Sequence, residues 1–303
     1  YRRLNEYSWS KYLINFKYSK ILKVHLQDYL EENEIKNQIP RLEKIDNEVS
    51  VKIRNQYESY PYPRWSKIIN PGLETNLESF LKRINIKIKD GKISKLSEFE
   101  VLIAGCGTGQ TSVINAKRFY KSKILAIDLS LSSLSYASRK SKEIGIQNIN
   151  FMQADILDLT KLNKKFHFIE CTGVLHHMKD PVKGLKILNQ CLLPGGIMKI
   201  GLYSKIGRTE LNKLKTKMNI DLNIDEQKKL ISIREEIIKN NDENLPSFLM
   251  SIDFFSLSGF KDYLLNVHEN QYCIIDVIKI LKKLNFEFCG FEFPNSKQII
   301  KEI

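Results

Sequence analysis

The sequence predicts an α/β chain: a parallel sheet with helices on both faces, an N-terminal helical and aromatic arm, and a helical insertion before a terminal strand. Three observations predict the sheet. The apolar run Val101-Leu102-Ile103-Ala104 enters a loop with glycine at every second position, Gly105, Gly107 and Gly109. A second apolar run, Ile124 to Ile127, closes on Asp128, 19 residues after Gly109. Strand-like and helix-like stretches then alternate through 98–205, as parallel neighbours require, since each needs a crossover connection.

The loop after the first strand brings bare backbone N–H groups close to a ligand, because glycine has no side chain to hold it off. Its spacing is G-x-G-x-G. The dinucleotide fingerprint G-x-G-x-x-G would need glycine where Gln110 stands, and no phosphate-binding lysine follows. Asp128, followed by Leu129, ends the second strand, where a carboxylate can accept both hydrogen bonds of a ribose diol. The third strand, Phe151-Met152-Gln153-Ala154-Asp155-Ile156, ends in an acid able to meet an adenine amino group. The fourth runs from Phe166 through Glu170, Cys171 and Thr172 into a loop holding His176 and His177, and Asp180-Pro181 then opens a helix. The fifth leaves a Pro194-Gly195-Gly196 turn and runs to Tyr203.

In this order the segments resemble the class I S-adenosylmethionine-dependent methyltransferases, from about Glu100 to Tyr203. The resemblance implies a Rossmann-like sheet with S-adenosylmethionine as cofactor, held by Gly105, Cys106, Gly107, Gly109, Asp128, Leu129, Asp155, Ile156 and Thr172. A second signal lies upstream. Ile39-Pro40-Arg41-Leu42 leads to Gln56-Tyr57-Glu58-Ser59-Tyr60-Pro61-Tyr62-Pro63-Arg64-Trp65, and Ser256 to Glu269 follows more loosely. These look like bacterial methyltransferases often fused to N-terminal tetratricopeptide repeats, so the resemblance covers about 39–293. Any such repeats would precede Tyr1, which is expected to lie inside a longer protein.

The organisation expected is an N-terminal helical segment and aromatic arm over 1–97 and a methyltransferase domain over 98–303, with a helical insertion at about 206–270. Gln271 to Leu284 reads as an amphipathic helix burying Ile274, Ile275, Val277, Ile278 and Leu281. Phe286 to Phe293 alternates like a strand. One terminal strand without a second suggests truncation at the C-terminus.

Composition narrows the classes. The net charge of +13 invites a nucleic-acid partner, but the 48 Lys and Arg spread along the chain and read as solvated surface. No run of 18 uncharged apolar residues exists, so no membrane span is expected. The five cysteines are scattered without a C-x-x-C pair, which fits reduced cytoplasmic thiols and argues against a disulfide framework or a zinc site.

Tyr57, Tyr60, Tyr62 and Trp65 place four rings in nine residues, with Pro61 and Pro63 holding the backbone extended. This arm reads either as a wall of the substrate site, with Arg64 as its polar contact, or as a strap pinning the N-terminus to the sheet. If it is a wall, the rings also suit a cationic group. Methyl transfer needs an acceptor in line with S–CH3 and water kept out; a base is needed only if the acceptor must lose a proton. His176 and His177 are candidates for that base or simply cap their loop, and His268, near Asp262 and Glu269, is another substrate-side candidate. Cys171 has nothing around it to activate a thiolate and reads as a small strand-end residue. Glu170 supports the cofactor loop or meets an amine. The expected function is methyl transfer to a small-molecule acceptor. An RNA or protein methyltransferase and a non-catalytic S-adenosylmethionine-binding protein remain as alternatives.

Overall fold

The computed structural model describes residues 22–74, 76–88, 92–218, 227–239 and 251–292. Its centre is a five-stranded sheet in the order β3-β2-β1-β4-β5. The strands are β1 (Glu100–Ala104), β2 (Lys123–Asp128), β3 (Ile149–Gln153), β4 (Phe166–Thr172) and β5 (Leu192–Gly201), and every pairing is parallel. Chain order reverses between β1 and β4, which opens a crevice at the strands' C-terminal ends.

Both faces of the sheet are covered, so its central strands are largely apolar. Val101, Ile103, Ile124, Ala126 and Phe168 face one side, where Phe80, Phe119 and Leu134 pack on them. The alternate residues Leu102, Ala104, Leu125, Ile127, Ile169 and Cys171 face the other, against Leu185 and Leu188. Phe119 sits edge-on to Phe80 and Phe99, with ring centres 5.7 and 5.2 Å away. Burial of each such side chain contributes about 1.5–3 kcal/mol.

The helices begin where their caps place them. In chain order they are α1 (Asp28–Gln38), α2 (Glu48–Ser59), α3 (Leu77–Arg83), α4 (Gln110–Arg118), α5 (Leu131–Glu143) and α6 (Pro181–Cys191). Asn47 caps α2 through the N–H of Ser50, and Ser130 caps α5 through that of Ser133. Asp180 accepts from the N–H of Lys183 at 2.9 Å, with Pro181 at the first helical position of α6. Arg139 on α5 ties down α1 through Asp28 and Glu32 at 3.2 and 2.9 Å.

Beyond β5 come α7 (Thr209–Met218), α8 (Gln227–Lys239), α9 (Ile252–Phe255), α10 (Leu257–Leu264) and α11 (Ile274–Lys283). The first four gather a core of their own from Leu211, Leu230, Ile237, Phe254, Phe260 and Leu264, with Tyr60 of the arm packed against it.

Three expectations change. The Pro194-Gly195-Gly196 turn lies inside β5 as a register shift, from Phe166 opposite Leu192 to Phe168 opposite Ile197. Phe286 to Glu292 pairs with no strand, and Phe293 lies outside the described residues. Phe288 and Phe291 are both exposed, and Gly290 (φ +144°) breaks the extended run. Finally, α11 packs through Ile280 and Leu281, joined beyond its end by Leu284, while Ile274 and Ile275 in its first turn are exposed. The sheet edges are held by short bridges. The N–H of Leu42 donates to Gln153 and the N–H of Gln153 to Pro40, both at 2.9 Å, covering β3. Ser204 bridges Tyr272 beyond β5.

Candidate active site

A cavity of about 400 Å3 lies at the crevice the topology predicts. The strand ends and their loops contribute Gly105, Cys106, Gly107, Asp128, Leu129, Asp155, Ile156 and Thr172. Tyr57 and Tyr62 come from the arm, His177 from the loop after β4, Tyr203 from the end of β5 and Asp262 from α10. Strand-end and insertion-side residues therefore share one cleft.

Each glycine of the loop makes room for a different neighbour. A Cβ on Gly105 would stand 2.2 Å from Val174, and one on Gly109 2.5 Å from Ala137 of α5. Gly109 thus lets the loop close on a helix and does not line the cavity. A Cβ on Gly107 (φ +52°) would meet the Tyr62 carbonyl oxygen at 2.6 Å. The arm's backbone therefore packs against the loop at Gly107, which still lines the cavity. Cys106 is buried, which pushes its thiol pKa up and leaves it uncharged.

Asp128 clamps this loop. One carboxylate oxygen accepts from the N–H of Gly107 at 2.8 Å and the other from the N–H of Ser130 at 2.9 Å. Burial raises its pKa, and these backbone donors work against the rise. Each oxygen keeps lone-pair capacity for a hydroxyl. Asp155 caps the turn after β3 through the N–H of Leu157 at 3.0 Å, and burial raises its pKa as well. A bare glycine loop, a carboxylate with acceptor capacity left, and apolar walls from Leu129 and Ile156 fit an adenosyl group.

The arm divides into wall and strap. Tyr57 and Tyr62 line the cavity. Trp65 does not: it is buried, its Nε1–H donates to the Thr108 carbonyl at 3.0 Å, and Tyr136 stands edge-on to it. The Thr108 hydroxyl also donates to the Pro63 carbonyl, which fixes arm to loop. Tyr60 turns into the insertion core, and the Arg64 guanidinium lies 6.0 Å from the Tyr136 ring centre. Neither lines the cavity.

The histidines form a scaffold. His177 Nδ1 lies 2.7 Å from the His268 carbonyl, which can only accept, so Nδ1 carries the proton. Its Nε2 then accepts from His176 Nε2 at 3.1 Å and from Asn266 at 3.4 Å. Burial pushes the pKa of His177 down to about 4 and that of His176 to about 2, the latter also under the influence of His177 and Arg208. Both rings are neutral, and the lone pair on His177 is taken. His176 sits behind the wall, stacked on Tyr203 at 3.8 Å, whose other neighbour is Arg208 at 3.7 Å. His268 Nε2 faces the Met178 carbonyl at 3.1 Å and is likewise outside the cavity.

Glu170 lines the cavity from β4. Its carboxylate accepts from Asn115 at 2.7 Å and pairs with Lys199 at 3.0 Å. The Cys171 thiol is buried and pushed up to about 12. Tyr203, Asn266 and, above all, Asp262 emerge as site residues that sequence reasoning did not single out. Tyr203 lies two residues beyond the fifth strand, and that position alone could have marked it.

The chain shares its glycine loop and sheet with known proteins. Residues 101–196 match the family model described as a methyltransferase domain. An uncharacterised Synechococcus protein is 38% identical over 125 residues, covering 41% of this chain and 30% of its own. A Coxiella burnetii ubiquinone biosynthesis O-methyltransferase is 29% identical over 139 residues, covering 46% of this chain and 56% of its own. The structure of PKMT2 from Rickettsia typhi in complex with AdoHcy is similar in fold at a TM-score of 0.52 and 21% identity, over 75% of this chain and 45% of that one. The chain thus spans less than two thirds of the length of these relatives. Topology and family match together mark residues 101–196 as a methyltransferase domain built on a Rossmann-like parallel sheet.

Proposed function

We propose that this chain transfers the methyl group of S-adenosylmethionine to a small-molecule acceptor within the cavity. The observation that carries the reading is the continuity of that cavity from Gly105 and Asp128 to Tyr57, Tyr203 and Asp262. S-adenosylmethionine supplies an activated methyl, so the protein's work is binding, alignment and exclusion of water. Asp128 holds the ribose hydroxyls, Asp155 and Ile156 take the adenine, and the loop from Gly105 to Gly107 receives the methionine end. The two arm tyrosines close the space against solvent, and the acceptor enters between them, Tyr203 and Asp262. The resemblance to repeat-fused bacterial methyltransferases, an arm unit over 1–97 and a cytoplasmic location belong to the same proposal. No described helix is long and apolar enough to cross a membrane.

Two experiments test it. Calorimetry is expected to show S-adenosylhomocysteine binding, with no competition from NAD or ATP; tight NAD binding without S-adenosylhomocysteine overturns the cofactor. Labelled S-adenosylmethionine incubated with a cell extract is expected to mark the metabolite fraction. Label in the RNA or protein fraction replaces the small-molecule acceptor. Binding without transfer to any fraction leaves a non-catalytic S-adenosylmethionine-binding protein.

A further inference from the structure

Asp262 stands apart from every other acid at the cavity. Asp128 and Asp155 are committed to backbone N–H groups, and Glu170 to Asn115 and Lys199. Asp262 lines the same cavity on α10, and among the described residues Tyr57 is the one hydrogen-bond donor to its carboxylate, at 2.5 Å. Asn266 donates to the Tyr57 oxygen at 3.1 Å and reaches His177 with the same amide. This chain orients the phenol so that its proton points at one carboxylate oxygen. Among the described residues none donates to the other oxygen. A buried carboxylate with acceptor capacity facing a cavity is costly unless a ligand completes it.

Building on the proposed methyl transfer, we propose that Asp262 meets the acceptor's nucleophile and takes its proton, with Tyr57 as the positioning residue. The acceptor then carries an N–H or O–H at the atom methylated. As its lone pair forms the new bond to carbon, the C–S electron pair stays on sulfur, giving a neutral thioether. The acceptor's proton passes to the Asp262 carboxylate and from there to water. The histidines, neutral and already engaged, leave this task to the acid.

The groups facing Asp262 are Tyr57 on α2, Asp253 on α9, Arg208 after β5 and Glu269 beyond α10, with Tyr62 and Tyr203 across the cavity. Burial outweighs the Tyr57 hydrogen bond and pushes the carboxyl up to about 6, a suitable value for accepting a proton near neutrality.

The test needs no knowledge of the acceptor. Sinefungin carries an ammonium-bearing carbon where S-adenosylmethionine has its methylsulfonium, so it puts an N–H donor at the transfer point. The wild-type chain is expected to bind sinefungin at least about tenfold more tightly than S-adenosylhomocysteine, as a charge-assisted hydrogen bond allows. That preference should fall as pH drops through about 6, where the carboxylate protonates. In Asp262→Asn the preference should vanish while S-adenosylhomocysteine affinity stays within about twofold. In Tyr57→Phe it should persist, with its pH midpoint moved upward because the carboxylate has lost its donor. Equal binding of the two ligands by wild type, or an unchanged preference in Asp262→Asn, overturns the inference. Failure of S-adenosylhomocysteine to bind the wild type overturns the proposed function instead.

Discussion

At the residue scale, the acids at the cavity share a chemistry and differ in what holds them. Asp128 gives one oxygen to the glycine loop and the other to its own turn, so Asp128→Ala removes the proposed ribose contact and also takes the Asp128 acceptor from the Gly107 and Ser130 N–H groups. S-adenosylhomocysteine affinity should fall by at least about tenfold, roughly 1.4 kcal/mol, by titration calorimetry. Asp262 behaves oppositely with respect to stability. Its folded pKa of about 6 lies above the ordinary 3.8 of an aspartate, so the folded state binds the proton more tightly. The penalty of burying its charge is absent below about pH 4, grows through about pH 6 and is complete above it. Asp262→Asn should therefore raise the melting temperature at pH 7.5, by on the order of 1–3 kcal/mol of stability, and lose the gain at pH 4. Gly107 and Asp128 were legible in the sequence because a glycine loop and a strand-end acid have fixed places in a βα unit. Asp262 was not, because its role comes from Tyr57, 205 residues away in the chain.

At the element scale, the arm carries two jobs that its sequence could not separate. Proline and aromatic residues announce a stiff segment but not which rings face inward. The structure divides them: Trp65 is buried beside the glycine loop, while Tyr57 and Tyr62 face the cavity. Trp65→Ala should cost about 3–5 kcal/mol in denaturant unfolding, as for other buried aromatics. Tyr62→Ala should leave the denaturation midpoint nearly unchanged and weaken S-adenosylhomocysteine binding. Gly107→Ala forces a Cβ against the Tyr62 carbonyl, and faster amide exchange from Tyr62 to Thr108 is the expected sign that arm and loop have parted. The central strands were legible because burial on both faces writes near-continuous apolar runs. The terminal strand was misread because Phe286 to Glu292 has the alternation of a strand but, among the described residues, pairs with none.

At the scale of the whole molecule, the family-matched segment supplies the sheet, and flanking segments finish the site. Positions from Val49 to Asp262 contribute to one cavity. Sequence periodicity sees the sheet, whose pattern is local; it does not see a wall assembled from the arm, the end of β5 and α10. That spacing along the chain has a consequence for synthesis. The arm leaves the ribosome long before the glycine loop it embraces, and α10 emerges last of the three. Until Asp262 is out, Tyr57 lacks its carboxylate and the insertion core lacks Phe260 and Leu264. Ligand binding should therefore appear late in translation. Nascent chains stalled with residues 1–205 exposed should not retain labelled S-adenosylhomocysteine, whereas chains exposing residues 1–292 should. Until that point Tyr57 and Tyr60 lack their final partners, a requirement for protection during elongation that a locally assembled sheet does not impose.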